Sequence, residues 1–161
     1  VSAAISAAET GHLVFSTLHT VNAVQTVERI ISFYPPHQHD LIRQQLALNL
    51  AGVVSLRLIK TKEGRTMVPA VELLLNTPTV RELLQSGETR MLPKALMEGG
   101  YYGTMTFNQS LIRLFEAGNI TLEDALASSD NPDELKMQMR GITAGGQTAI
   151  QDRPPAGMRR H

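Results

Sequence analysis

A chain of 161 residues, 42% hydrophobic and 19% charged, is long enough for one domain with a real core, which excludes disorder of the whole. Fifteen basic residues balance fifteen acidic ones, so net charge gives no reason to invoke DNA, RNA or an anionic membrane as the main partner. The lack of cysteine excludes a disulfide framework and a thiolate zinc site, and no apolar run approaches the roughly 20 residues that cross a bilayer.

The chain opens on Val1, already inside a helical pattern, with no initiator methionine and no basic-then-apolar secretion signal, so it reads as the later, cytoplasmic part of a longer protein. Residues 2–9 are alanine-rich, and Gly11 is placed to end them as a left-handed C-cap. Residues 12–18 form an apolar run with little alternation, which predicts a central strand buried on both faces in a parallel sheet. Asn22 and Gln25 have capping-box spacing, and Ala23, Val24, Val27, Ile30 and Ile31 make one apolar stripe of the helix that follows. Pro35-Pro36 stops that helix, because proline donates no backbone hydrogen bond.

A third helix is predicted over 39–51, burying Leu41, Ile42, Leu46 and Leu50. Gly52 then hands over to a β-branched run at 53–59, Lys62-Glu63-Gly64-Arg65 makes a turn, and 67–75 reads as a second strand, so the pair predicts an antiparallel hairpin. From Asn76 onward the pattern changes to short, capped helices. Thr77 caps one with Pro78 at its first position, and another covers 88–98. Thr106 and Gln109 box a helix burying Phe107, Leu111, Ile112 and Phe115, and Thr121 and Asn131-Pro132 each start one more. Glycine, proline and arginine dominate 141–161, which predicts a disordered tail.

The run from Glu9 to Thr20 concentrates polar side chains where a buried strand would stop. His19 and Thr20 stand at the carboxyl end of that strand, where ligands of open parallel sheets sit. An imidazole N–H, a threonine hydroxyl and the N-terminus of the helix near Asn22 together suit the terminal phosphate of a nucleotide. The residues alone fit equally well a histidine that caps a sheet edge by bonding a neighbouring carbonyl. His12, about 20 Å away along six residues of strand, serves a different site or a structural role. His37 and His39 lack a second cluster to complete a metal set, so a solvated helix start is the simpler reading.

In company, these segments resemble the retraction ATPases of type IV pili, the PilT/PilU family within the secretion ATPase superfamily, from Val1 to about Arg140. Glu9, Thr10, Gly11 and His12, followed by Ser16-Thr17-Leu18-His19-Thr20, resemble its histidine box. Glu28-Arg29 with Phe33-Tyr34-Pro35 resembles its acidic-Arg and Phe-Pro segment, and Gly103-Thr104-Met105-Thr106-Phe107-Asn108-Gln109 resembles another block. Thr77-Pro78-Thr79-Val80-Arg81-Glu82-Leu83-Leu84 is similar to the short helix needed for retraction. There the family often reads Ala-Ile-Arg-Asn-Leu-Ile-Arg-Glu, and the departures at Thr79, Glu82 and Gln85-Ser86, with Leu48-Asn49-Leu50, lean toward the PilU branch.

The resemblance implies an α/β fold: the carboxyl-side part of a RecA-like P-loop NTPase core at 1–76, then a small helical C-terminal region at 77–140, with 141–161 as the tail. It implies a homo-hexamer that hydrolyses ATP with Mg2+ to drive pilus retraction and twitching motility, in the cytoplasm at the inner-membrane pilus base. Its partners would be the inner-membrane platform protein and a paralogous motor ATPase, with no nucleic acid and no metal held by the protein itself. His19 would sense the γ-phosphate, Thr17 and Thr20 would orient it, and the helix carrying Arg81, Glu82, Leu83 and Leu84 would transmit the motion.

The family's phosphate loop, Asp box and Walker B residues precede the histidine box and are absent here, so this chain alone should neither bind ATP tightly nor hydrolyse it. Pilus assembly and type II secretion ATPases of the same superfamily are the nearest alternative. They usually carry a four-cysteine zinc insertion after the strand that corresponds to 53–59, where this chain has only a short turn and no cysteine. A truncated, non-catalytic interaction module is the alternative from another class.

Overall fold

The computed structural model describes residues 1–141, so the predicted tail beyond Gly141 lies outside the described residues. Helix α1, Ser2–Glu9, ends as expected. Gly11 takes the left-handed conformation (φ +88°), and the Gly11 and His12 N–H groups reach back to the carbonyls of Ala8 and Ala7, both at 3.0 Å. This is the paired C-cap that a glycine two residues past the last helical turn permits.

Residues 12–20 form no strand, which corrects the expectation of a strand buried on both faces. Leu13 and Phe15 are 81% and 88% exposed. A strand persists only when a neighbour completes its backbone ladder, and the two described strands pair with each other and, at Leu73, with Met105, not with residues 12–20. The apolar run therefore lies free on the surface.

Helix α2, Ala23–Ser32, is capped by Asn22, whose side chain accepts from the Gln25 N–H at 2.8 Å. Gln25 reaches back to the Val21 N–H, one residue earlier than in a strict capping box. Ala23, Val27 and Ile31 are its buried apolar residues. A short 3-10 turn at Pro36–Gln38 leads into α3, His39–Asn49, which buries Ile42, Leu46 and Ala47. Leu41, expected in the core, is exposed, because the stripe through 42, 46 and 47 leaves it on the flank.

Strands β1 (Gly52–Lys60) and β2 (Met67–Leu75) form the expected antiparallel hairpin, in register from Gly52 opposite Leu75 to Lys60 opposite Met67. Its polarity runs against the usual alternation. Val54, Leu56 and Leu58 point outward at 63–65% exposure, whereas Ser55 and Glu72, directly opposite one another, are buried beneath the helices.

Five helices complete the described chain: α4 (Pro78–Ser86), α5 (Leu92–Glu98), α6 (Phe107–Glu116), α7 (Leu122–Ser128) and α8 (Pro132–Met139). The helix expected over 88–98 divides into a 3-10 turn at Thr89–Met91 and α5. Pro93 accounts for the break, since it has no N–H to give and is accommodated in a first turn. Thr106 and Gln109 form the predicted capping box, although Phe115 lies partly exposed beside the buried Phe107 and Leu111.

The core has two parts. In the first, Val27, Ile42, Leu46, Leu74, Val80, Leu84 and Leu96 gather from α2, α3, β2, α4 and α5. In the second, Ile59, Ala70, Phe107, Leu111, Ala125 and Leu135 gather from the hairpin and α6 to α8. The inward face of the hairpin serves both, and its polar residues Ser55, Arg57 and Glu72 fall between the two apolar ends.

Candidate functional site

The segment carrying the histidines divides into a cap and a loop. At the cap, His12 Nδ1 lies 3.0 Å from the Thr10 hydroxyl and 3.2 Å from the Ala7 carbonyl, and the Thr10 hydroxyl donates to Ala7. Glu9 accepts a hydrogen bond from Gln45 Nε2 at 2.8 Å and so ties α1 to α3. Glu9, Thr10, Gly11 and His12 are thus gathered around the end of α1. None of them stands with His19 in a shared hydrogen-bond network among the described residues.

His19 is exposed, as is Thr17. The Thr20 hydroxyl turns the other way, 2.6 Å from that of Thr26, which in turn donates to the Asn22 carbonyl. Thr20 therefore anchors the loop to α2 rather than touching His19.

The N-terminus of α2 does not offer the phosphate cradle that the spacing suggested. Its Ala23 N–H donates to Glu72 Oε1 at 2.7 Å, and its Gln25 N–H is taken by Asn22. A carboxylate already neutralises the positive end of the helix, where an incoming phosphate would need free donors. Burial raises the Glu72 carboxyl above its ordinary range, while the Ala23 N–H and the nearby Arg57 charge pull it down and Asp130 pushes it up again. The residues present thus fit one peripheral phosphate contact, from His19, and not a nucleotide cradle.

Arg57 is the other centre of this seam. Its Nη1 donates to the Ser128 carbonyl at 3.0 Å, and its Nη2 to Asp130 Oδ2 at 2.6 Å and, more weakly, to the Val21 carbonyl at 3.4 Å. The guanidinium lies 4.0 Å from the centroid of the Phe107 ring. A cleft of about 430 Å³ opens alongside, lined in part by Asn22, Glu72, Asn108, Asp130 and Glu134. Lys94 also lines it, against the three carboxyl groups of Glu72, Asp130 and Glu134.

Arg57, Glu72 and Asp130 were not singled out from the sequence. The available signal was a lone charge inside each of two apolar strand runs, Arg57 in β1 and Glu72 in β2. Only the register, which sets Ser55 opposite Glu72 and Arg57 opposite Ala70, shows that both charges share the inward face.

The remaining expected residues lie on α4. Leu84 is buried, Leu83 half-buried, and Arg81 and Glu82 exposed, so the helix presents its charges to solvent while its leucines hold the core. Among the described residues no group of three or more His, Asp or Glu is placed to hold a metal, and no helix is long and apolar enough to cross a membrane.

Comparison with known proteins assigns the family. Residues 1–137 match the model of the type II/IV secretion system protein family. The chain is 37% identical over 167 residues to the type IV pilus ATPase PilU of Pseudomonas aeruginosa, covering 97% of this chain and 44% of that protein. It is 36% identical over 132 residues to the same organism's PilT, described as a type IV pilus retraction ATPase, covering 82% of this chain and 38% of that one. Its structure is similar to the crystal structure of the pilus retraction motor PilT with bound ADP, at a TM-score of 0.73 and 39% identity, covering 84% of this chain and 37% of that one. The chain thus spans less than half the length of each of these relatives. With strands and helices arranged as in the carboxyl-side part of a RecA-like ATPase core followed by helices, the chain belongs to the type II/IV secretion system protein family, on its PilT/PilU side.

Proposed function

We propose that this chain is part of a hexameric, cytoplasmic ATPase, peripheral to the inner membrane, that drives type IV pilus retraction. The observation that carries the proposal is the match to PilU over nearly the whole chain, joined by that to PilT. Copies of the chain, the inner-membrane platform protein and a paralogous motor are its proposed partners. ATP with Mg2+ supplies the phosphoanhydride bond whose hydrolysis releases the energy for movement.

The exposed imidazole of His19 is available to donate an N–H to a phosphate oxygen, with Thr17 beside it on the same loop. Thr20, through Thr26, fixes where that loop enters α2. Arg81 stands free on the surface of α4 to carry the movement onward. The N-terminus of α2, where the Ala23 and Gln25 N–H groups already bond Glu72 and Asn22, supports the further proposal that this chain by itself hydrolyses no ATP.

The test is His19→Ala in the complete protein, read by ATP turnover and by pilus retraction. Loss of both is expected, and wild-type values for both would overturn the assignment.

A further inference from the structure

We infer that Arg57 is a positioning residue that couples the loop carrying His19 to the helical pair α7 and α8, through a clamp closed by Asp130. The inference rests on the role proposed above for His19. One guanidinium meets three parts of the molecule that are distant in sequence. It bonds Val21, two residues after His19. It bonds Ser128, the last residue of α7, and Asp130 in the connection to α8, and it stacks on Phe107 at the start of α6.

Glu72, from the neighbouring strand, holds the first residue of α2, at the end of the same loop, through the Ala23 N–H. The stretch from Val21 to Ala23 is therefore held by both strands of the hairpin, and through Arg57 it is also tied to the end of α7 and the connection to α8. A planar fork suits this task, because it reaches several acceptors in fixed directions where an ammonium would reach one. The clamp occupies the seam between the two apolar clusters, where a rotation of α7 and α8 against the hairpin would change its bonds first. A shift of that connection is thus delivered to the loop that positions His19, and a shift of the loop is delivered back.

The decisive variant is Asp130→Ala in the complete protein, because the Asp130 side chain is two-thirds exposed and its loss removes no core packing. Amide hydrogen exchange is expected to quicken about tenfold at Val21 to Ala23, with exchange in β1 and β2 and the thermal midpoint unchanged. ATP turnover is expected to show a fall in kcat with KM for ATP within about twofold. Arg57→Lys, which keeps the charge and loses the fork, should reproduce the change in exchange. Unchanged exchange at Val21 to Ala23 in Asp130→Ala would overturn the clamp, as would acceleration spread evenly over the chain. Exchange requires no nucleotide, so this result is independent of His19→Ala, whose failure to alter turnover would instead remove the phosphate-sensing role.

Discussion

Burial holds the Glu72 carboxyl above its ordinary value of 4.5 despite the opposing pull of the Ala23 N–H and Arg57. A carboxyl raised in this way binds more protons folded than unfolded. Its contribution to stability is fully present below the unfolded value and is lost as pH rises through the folded one. Glu72→Gln keeps an acceptor for Ala23 and removes the charge. In denaturant unfolding between about pH 4 and pH 8, the wild type should lose stability relative to Glu72→Gln as pH rises, and a difference that stays constant would show that the ionised carboxylate carries no burial penalty. Glu72 also explains why an anion-binding helix terminus could be expected here and not be found. The capping residues and the nearby histidine were visible in sequence, but the carboxylate that fills the terminus comes from a strand 49 residues away.

Helix α4 separates packing from surface chemistry within two turns. Leu84 is fully buried in the first apolar cluster, on the helix that packs against α3 and α5, so Leu84→Ala should cost about 2–5 kcal/mol in urea unfolding. Arg81 is exposed on the outer face of the helix, so Arg81→Ala should stay within about 0.5 kcal/mol of the wild type. A comparable loss for both would place Arg81 in the fold rather than in the transmission of movement. The elements most legible in the sequence were those with a local cause: Thr77, Thr106, Thr121 and Asn131 cap their helices as read, and the turn after Lys60 closes the hairpin. Burial, which depends on what packs against an element, was less legible. Residues 12–18 have the composition of a buried strand but no ladder beside them, and Leu41 falls outside the stripe that its helix buries.

Among the described residues, one side of the hairpin and the histidine run each expose several large apolar side chains. Val54, Leu56, Leu58, Leu13 and Phe15 are all more than 60% exposed. Such surface drives association when nothing covers it. The 161-residue chain should therefore self-associate in light scattering, and Leu56→Glu should shift it toward monomer. A wild-type chain that stays monomeric would show the face to be harmless in water. In the complete motor, nucleotide can shift one arrangement to another only by binding the two unequally, so the residue that distinguishes phosphate-bound from phosphate-free states carries the mechanism. We propose that His19 is that residue, exposed on a loop that Arg57 bonds at Val21 and that enters α2 where Glu72 holds Ala23. The direct measurement is ATP turnover of the complete protein carrying His19→Ala, alongside its unfolding free energy. A fall of about 100-fold in turnover with stability unchanged is the expected result. Turnover at the wild-type rate would contradict it.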